Sequence, residues 1–512
     1  MKRLELLHPL AFASYPILYV FAQNLAVVPT TDLMWLLLGS WAAVGVALFA
    51  AKKWASRPER VAAILSALMV FFCAYPSFRA LTGRLAVLEL TYFNESIFIR
   101  YWLATALVIG VGIWLLSAYA ATARFFGFFA AGLLFMAAFS VVTAFGRYRS
   151  FEEIRGKSIP AKRGSNGSTK PDIFYIVLDG YARDDVLRRV FNISNVDFLN
   201  RLRKLGFYVA DKSHSNYVQT QLSLPSSLNL GFIQDLLPQE APDSGDRRAL
   251  DGMLDHNLVS DLLRKEGYAY IGVGSGFPFL KFAAADHSFV SEEDFPKLSS
   301  LVLNLTPFGA SREIAHPAFE RKRLSLLRAF ALARQMAGPS VKPRFFVVHV
   351  MAPHPSFVFN PDGSLRPSKV PFGLWDGSHF FEIGGTMKEY LDGYRDQLTY
   401  INTLVLELVA HIDRVNPGAI VILQGDHGSK SHLDQRSLER TDLKEVFSIL
   451  NCYKVPPQIR ARLYPSITPV NSFRTLLSEL FGYDLPQLSD KSYFSTFETP
   501  FQFVDVTDAV KD

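Results

Sequence analysis

The 512-residue chain has only two cysteines, Cys73 inside a hydrophobic run and Cys452 in a more polar stretch far along the sequence. Two such positions exclude a disulfide framework. They leave the compartment open, because an oxidising environment permits disulfides without requiring them. Excess charge of one sign is also lacking. The 53 basic and 47 acidic residues leave a net charge of +6, dispersed along the chain, and no basic stripe interleaves with aromatics. Nucleic acid is therefore excluded as the expected partner. Residues 1 to about 145 hold little but long apolar runs with short polar breaks, whereas the remainder alternates apolar strands, polar helices and Pro/Gly turns. The chain reads as two parts.

A helix needs roughly 20 mostly apolar residues to cross a bilayer. Five stretches qualify, at residues 9–27, 33–51, 61–78, 101–121 and 125–145, the first interrupted by Gln23 and Asn24. The first run also has the length of a signal peptide, but no small-residue cleavage site follows it and a second run comes almost at once. Lys2 and Arg3 precede the first run, and Lys52, Lys53, Arg57 and Arg60 lie between the second and third. The positive-inside rule makes those segments cytoplasmic, so five spans put the remainder of the chain on the outer side. The basic stretch after the fifth run runs against a simple charge count, but the first helices set orientation and long domains translocate regardless of charge. Were the first run not a span, the domain would be cytoplasmic. Residues 158–170, rich in Pro, Gly, Ser and Lys, read as a linker. The basic segment before them lies on anionic headgroups or is a solvated connector.

From Pro171 onward, Val/Ile/Phe-rich runs at residues 173–178, 268–273, 345–350 and 419–423 alternate with helix-like segments, an α/β pattern. In open α/β sheets the ligand site gathers beyond the carboxyl ends of the strands. The polar residues found there are Asp179, His349 and the Asp426-His427 pair. Each has an ordinary reading too: a strand-ending Asp caps a helix, Asp179 forms a turn with Gly180, and His349 is a satisfied core histidine. Together they supply two carboxylates and an imidazole, a set suited to a borderline cation such as zinc or manganese. The glycines at 272, 274 and 276 read as a tight turn, Arg321-Lys322-Arg323 as a solvated helix face, and residues 456–481 as closing helices against the sheet.

Four motifs in order, Asp179-Gly180 after an apolar strand, Thr220-Gln-Leu-Ser223-Leu-Pro225, the His349 to His354 pair and Asp426-His427-Gly428, resemble the alkaline phosphatase and sulfatase superfamily over about residues 171–490. The five-run front end is similar to that of the lipid A phosphoethanolamine transferases and lipoteichoic acid synthases. The resemblance implies an N-terminal all-α transmembrane bundle of about five helices (residues 1–146), a juxtamembrane linker (147–170) and a catalytic α/β/α sandwich (171–512). It further implies Thr220 as nucleophile, with Asp179, Thr220, Asp426 and His427 holding a divalent metal, zinc or manganese. His354, His349 and His432 become substrate-binding candidates, and Glu439 stands where the transferases place a late histidine, which leaves a second metal open. The implied reaction moves a phosphoethanolamine or phosphoglycerol headgroup from a membrane phospholipid to an envelope glycan or lipid, outside a bacterial cytoplasmic membrane. Two alternatives remain. One is a sulfate- or phosphate-ester hydrolase, since Ser223-Leu-Pro225-Ser226-Ser227 approaches the sulfatase pattern with Ser227 in place of its arginine. The other is a non-catalytic lipid-sensing scaffold. Ser226 stands where the lipid A enzymes carry a cysteine, so the headgroup stays open.

Overall fold

The computed structural model describes residues 8–23, 30–54, 57–75, 95–116, 120–156, 160–162, 170–238, 240–274, 276–277, 279–289, 302, 318–368, 370 and 372–511. These divide into two compact units, one of residues 1–150 with 296–317 and one of 151–295 with 318–512.

The first unit is helical. Helices His8–Gln23, Thr30–Trp54, Pro58–Cys73, Glu95–Leu116 and Ala120–Gly156 coincide with the five apolar runs. Among the described residues, two segments combine the length and apolarity of a bilayer crossing, Leu33–Lys53 and Phe125–Thr143, and Trp102–Leu115 is apolar but shorter. The helices turn large apolar side chains outward: Trp35, Phe49, Leu107 and Phe128 are each at least 70% exposed. A water-soluble surface rarely presents so many together. Polar groups pair between helices instead, His8 Nδ1 lying 2.7 Å from Ser66 Oγ and Trp41 Nε1 donating to Ser14 Oγ at 2.8 Å.

The second unit is built on a seven-stranded mixed sheet. Its strands are β1 (Ile173–Leu178), β2 (Tyr208–Val209), β3 (Ala269–Val273), β4 (His287–Phe289), β5 (Arg344–Val350), β6 (Ile420–Gly425) and β7 (Asn451–Lys454), in the order β2-β7-β6-β1-β5-β3-β4. β1 pairs parallel with β5 and β6, and β7 runs antiparallel at its β6 edge. The central strands are buried throughout, which is why they read as unbroken β-branched and aromatic runs. Successive side chains go to opposite faces. Phe174, Ile176 and Leu178 join one core with Leu326, Phe330, Leu398 and Ile401 of helices Ala318–Met336 and Met387–Val415. Ile173, Tyr175 and Val177 join the other, with Leu262 and with Phe473 and Leu477 of helix Pro469–Phe481. Helices thus cover both faces, and residues 456–481 close the sheet as expected.

The sequence-based strand at 173–178 coincides with β1, and those at 268–273, 345–350 and 419–423 overlap β3, β5 and β6 with ends displaced by one or two residues. The short strands β2, β4 and β7, of two to four residues, carry too little alternation to be read from sequence. Most of the linker at 158–170 lies outside the described residues. Lys162 is described and is held on the second unit, bridged to Tyr483 and 2.8 Å from Glu266 Oε1.

Candidate metal centre and active site

The register of β5, β1 and β6 puts Val350, Leu178 and Gly425 abreast, so the residues after them leave the sheet at one level. The three strand ends are stitched together: Asp179 N donates to Val350 O at 3.0 Å and Gly180 N to Asp426 Oδ1 at 3.1 Å. Gly180 has φ +73°, a conformation glycine adopts without strain. At Gly428 a Cβ would fall 2.1 Å from Glu445 O, so only glycine permits the backbone turn that aims His427 inward.

Asp179, Asp426 and His427 converge, all buried, with ligand atoms within 4.8 Å of one another. Asp179 Oδ1 and Asp426 Oδ2 have no hydrogen-bond partner despite their burial. Orphaned carboxylate oxygens are costly in a protein interior. His427 explains the arrangement. Its Nδ1 lies 2.8 Å from Gly428 O, an atom that can only accept, so Nδ1 carries the proton. The lone pair on Nε2 then faces Asp179 Oδ1 at 3.3 Å, Asp426 Oδ2 at 3.5 Å and Thr220 Oγ1 at 3.3 Å. Several lone pairs turned toward one point are stable only around a positive charge. Two carboxylates, an imidazole oriented by a backbone carbonyl and a hydroxyl fit a divalent cation.

Thr220 opens helix Thr220–Leu228, and its Oγ1 lies 3.5 Å from Asp179 Oδ2. The unpaired amides of a first helical turn favour negative charge there. The neighbouring serines are turned away: Ser223 Oγ donates to Tyr217 O, Ser226 Oγ to Gly231 O and Ser227 Oγ to Ser223 O. Of the hydroxyls in this motif, Thr220 alone has a contact with Asp179 or His427 among the described residues.

The three candidate histidines have different surroundings. His349 is fully buried on β5, its Nε2 3.5 Å from Asp179 Oδ2. His354 lies beyond the strand, where its backbone N donates to Asp179 O at 3.0 Å and its Nε2 is 3.5 Å from Asp376 Oδ2. Burial would raise the Asp179 carboxyl pKa, but His354, His349 and His427 around it hold it well below the usual carboxylate range. His432 goes elsewhere. Its Nδ1 is 2.7 Å from Glu445 Oε2, a contact that raises the imidazole pKa, and its side chain is 48% exposed.

Three further charged residues join this region. Asp376, in a Gly/Trp-containing loop, accepts from Tyr390 OH at 2.6 Å and lies 3.9 Å from Lys430 Nζ. Burial pushes its carboxyl up, but His354, Lys430 and the Tyr390 hydroxyl bring it below the ordinary value. Lys322 corrects the expectation of a solvated helix face over Arg321-Lys322-Arg323. It is 5% exposed, donates from Nζ to His354 O at 2.8 Å, and burial pushes its ammonium down to about 7 although Asp179 and Asp376 oppose the shift. One signal for it existed: Lys322 stands four and eight residues before the buried Leu326 and Phe330, on the inward stripe of its helix. Lys430 lies two residues beyond Gly428 in the metal motif itself. Asp376 sits in a loop whose sequence carries no comparable signal.

The sequence profile of the sulfatase family matches residues 171–445. Among solved structures, the chain is similar to the C-terminal periplasmic domain of EptC from Escherichia coli in complex with Zn, at 12% identity and TM-score 0.45, covering 68% of this chain and 96% of that one. It is also similar to the integral membrane lipooligosaccharide phosphoethanolamine transferase A (EptA) from Neisseria meningitidis, at 12% identity and TM-score 0.40, covering 95% and 96%. A 2-O GAG sulfatase matches at 11% identity and TM-score 0.40, covering 65% and 74%. No curated protein matches the chain in sequence.

Proposed function

Because the chain belongs to the sulfatase family, whose profile spans the segment carrying Asp179, Thr220, Asp426 and His427, we propose that it is a headgroup transferase. It moves phosphoethanolamine or phosphoglycerol from a membrane phospholipid to an envelope glycan or lipid through a phosphothreonine at Thr220. The observation that carries this reading is the Thr220 hydroxyl at a helix start, 3.5 Å from Asp179 Oδ2 and 3.3 Å from His427 Nε2. Ser223, at the position a sulfatase-type nucleophile would take, donates to Tyr217 O instead.

In the first half-reaction Thr220 Oγ1 attacks phosphorus, and its proton is relayed through solvent to the departing oxygen. The new Oγ1–P bond replaces the P–O bond to diacylglycerol, whose oxygen leaves with the proton Thr220 gave up, and His354 binds the substrate beside it. In the second half an acceptor hydroxyl attacks the phosphothreonine, the Oγ1–P bond breaks as the acceptor O–P bond forms, and the acceptor's proton returns to Thr220 Oγ1. A zinc or manganese ion held by Asp179, Thr220, Asp426 and His427 would lower the pKa of the threonine hydroxyl and offset charge on the phosphoryl oxygens. Lys430 adds positive charge to the site, Lys322 ties down the His354 backbone, and catalysis is mainly positioning and electrostatics. His349 supports Asp179 from beneath. His432 is left to Glu445 and outside the reaction.

The helical unit, residues 1–146 in this reading, spans a bacterial cytoplasmic membrane, and residues 171–512 work on its outer face, where the donor lipid is confined to the surface. The test is to incubate the purified chain and a Thr220→Ala variant with zinc or manganese and labelled phosphatidylglycerol or phosphatidylethanolamine. Diacylglycerol release together with a phospho-alcohol adduct on the wild type alone supports the transferase and names its donor. Metal binding without turnover of either lipid overturns it.

A further inference from the structure

Helices Pro58–Cys73 and Glu95–Leu116 run antiparallel and are tied at two levels. At one, Phe71 stacks on Trp102 at 3.8 Å; at the other, the Arg60 guanidinium lies 5.0 Å from the Trp114 ring centroid. Between those contacts the helices part. They leave a groove of about 520 Å³, walled by Ile64 and Leu68 of one helix and by Leu107, Val111 and Trp114 of the other. Every side chain lining it is apolar or aromatic. Gly110 lies among them, and a Cβ built there would meet nothing within 4 Å. The lining residues of the first helix run from Ile64 to Phe72, so the groove extends for about 12 Å along its axis.

An open apolar groove at membrane depth suits a hydrocarbon chain, and a charged end decides which lipid carries it. Arg60 supplies that end. Its Nε is buried and has no hydrogen-bond partner among the described residues, although the indole lies against the guanidinium. An orphaned N–H on a cation is costly, and adjacent N–H groups of a guanidinium form the fork that takes two phosphate oxygens. Position argues the same way. Arg60 stands in the first turn of its helix, where the macrodipole disfavours a cation, and the N-cap residue Arg57 makes no side-chain capping bond. An anion on Arg60 is favoured by the guanidinium and the helix end together.

Charge also sets the class of headgroup. Lys52 and Lys53 stand in the last turn of helix Thr30–Trp54, and three residues separate that helix from Pro58, so the two helix ends lie within about 14 Å of each other. Lys52, Lys53, Arg57 and Arg60 face one carboxylate in this corner, Glu59: four cations less one anion leave +3. A zwitterionic headgroup leaves that charge uncompensated, whereas an anionic one is drawn to it.

We propose that this groove binds one anionic phospholipid, with its phosphate on Arg60 and an acyl chain along Gly110, a reading that rests on the membrane-spanning helical unit proposed above. The orientation given by the positive-inside rule puts residues 52–60 at the cytoplasmic leaflet, whereas the headgroup donor is drawn from the outer one. The bound lipid is therefore not the substrate.

The test uses the full chain in detergent micelles carrying brominated phosphatidylglycerol or brominated phosphatidylcholine, whose bromines quench a neighbouring indole. Six tryptophans are present, and subtracting the signal of a Trp114→Phe variant isolates Trp114. Phosphatidylglycerol is expected to quench Trp114 at about one tenth of the lipid fraction that phosphatidylcholine needs, roughly 1.4 kcal/mol. Arg60→Gln should erase that preference, and Arg57→Gln should change it less than twofold. Gly110→Leu, which fills the space open at that position, should weaken quenching by both lipids. Equal quenching by the two lipids in the wild type makes the groove an ordinary lipid-facing surface and overturns the proposal. So does an equal loss in Arg57→Gln and Arg60→Gln, which marks a diffuse basic field, or full competition by inorganic phosphate, which needs no acyl chain. Quenching requires no turnover. A chain that selects phosphatidylglycerol but transfers no headgroup fails the transferase reading and keeps this site; one that transfers headgroups without selecting loses the site alone.

Discussion

The two units use apolar side chains in opposite ways. In the helical unit Phe49 and Phe128 are 71% and 81% exposed, whereas in the α/β unit Phe174 and Phe346 are at 0% and stack on each other at 4.3 Å. The charged residues are reversed as well. The α/β unit buries Asp179, Asp376, Asp426, Lys322 and Lys430, whereas the apolar helix surface of the first unit carries its basic residues Lys52, Lys53 and Arg57 near helix ends. Hydropathy alone therefore says where carbon is abundant, not which way it faces. Facing is set by the solvent each unit meets, water for the α/β unit and, in the function proposed above, lipid for the helical one.

The comparison breaks most sharply at the buried charges. Thr220→Ala is expected to reduce headgroup transfer by about 10⁴-fold or more, since removal of a nucleophile leaves only binding and electrostatic assistance. Its thermal unfolding should stay close to wild type, measured alongside the rate. A variant that turns over donor lipid at a wild-type rate would remove Thr220 from the chemistry.

A matched pair of substitutions sharpens the contrast in packing. Phe346→Ala should destabilise the α/β unit by about 3–5 kcal/mol, as deletion of a buried aromatic does. Phe128→Ala, on an outward helix face, should change stability by less than about 0.5 kcal/mol. Thermal unfolding of both full-length variants in detergent checks this, and equal losses would place Phe128 in a packed interface.

Metal removal probes the buried carboxylates directly. Chelation should lower the unfolding temperature of the α/β unit by several degrees, because a cation bound only by the folded state stabilises it by mass action. Zinc or manganese should restore it in the wild type and not in Asp426→Asn, read by differential scanning calorimetry.

The smallest effect lies at His432. Its folded pKa is raised above the unfolded value by Glu445, so its stabilisation is complete below the unfolded pKa and is lost as pH rises through the folded one. The side chain is about half exposed, so solvent screening limits the contribution to a few tenths of a kcal/mol. Across pH 6 to 9, the stability difference between wild type and His432→Gln should shrink toward zero. A difference that is constant with pH would show that the pair does not titrate.

Much of the α/β unit was legible because β1, β5 and β6 are buried on both faces and so appear as continuous runs ending in metal-competent side chains. Asp179, Asp426 and His427 could be found at the first polar positions beyond those runs, and Thr220 by its motif. Asp376 could not, because a loop residue is brought to His354 by tertiary contacts that leave no local pattern. Lys322 was misread because two flanking arginines suggested solvent, while the helical period placed it inward. His432 was drawn into the expected site by nearness to His427 in sequence, although the chain turns it to Glu445 after five residues. The helical runs were legible as helices at all five positions, with full crossing length and apolarity at two among the described residues.

The paired ends of β5, β1 and β6 make the sheet a ruler for the centre. A slip of one residue in β1 or β6 would invert every side chain of that strand and carry Asp179 or Asp426 to the opposite face, so the ligand positions are held by the whole ladder of backbone bonds. The loops beyond, with Trp375 on one and Phe497 on another, answer to no such ladder. Those loops can therefore change in sequence and length while the centre keeps its dimensions, so variation around the site need not begin with a change in the centre.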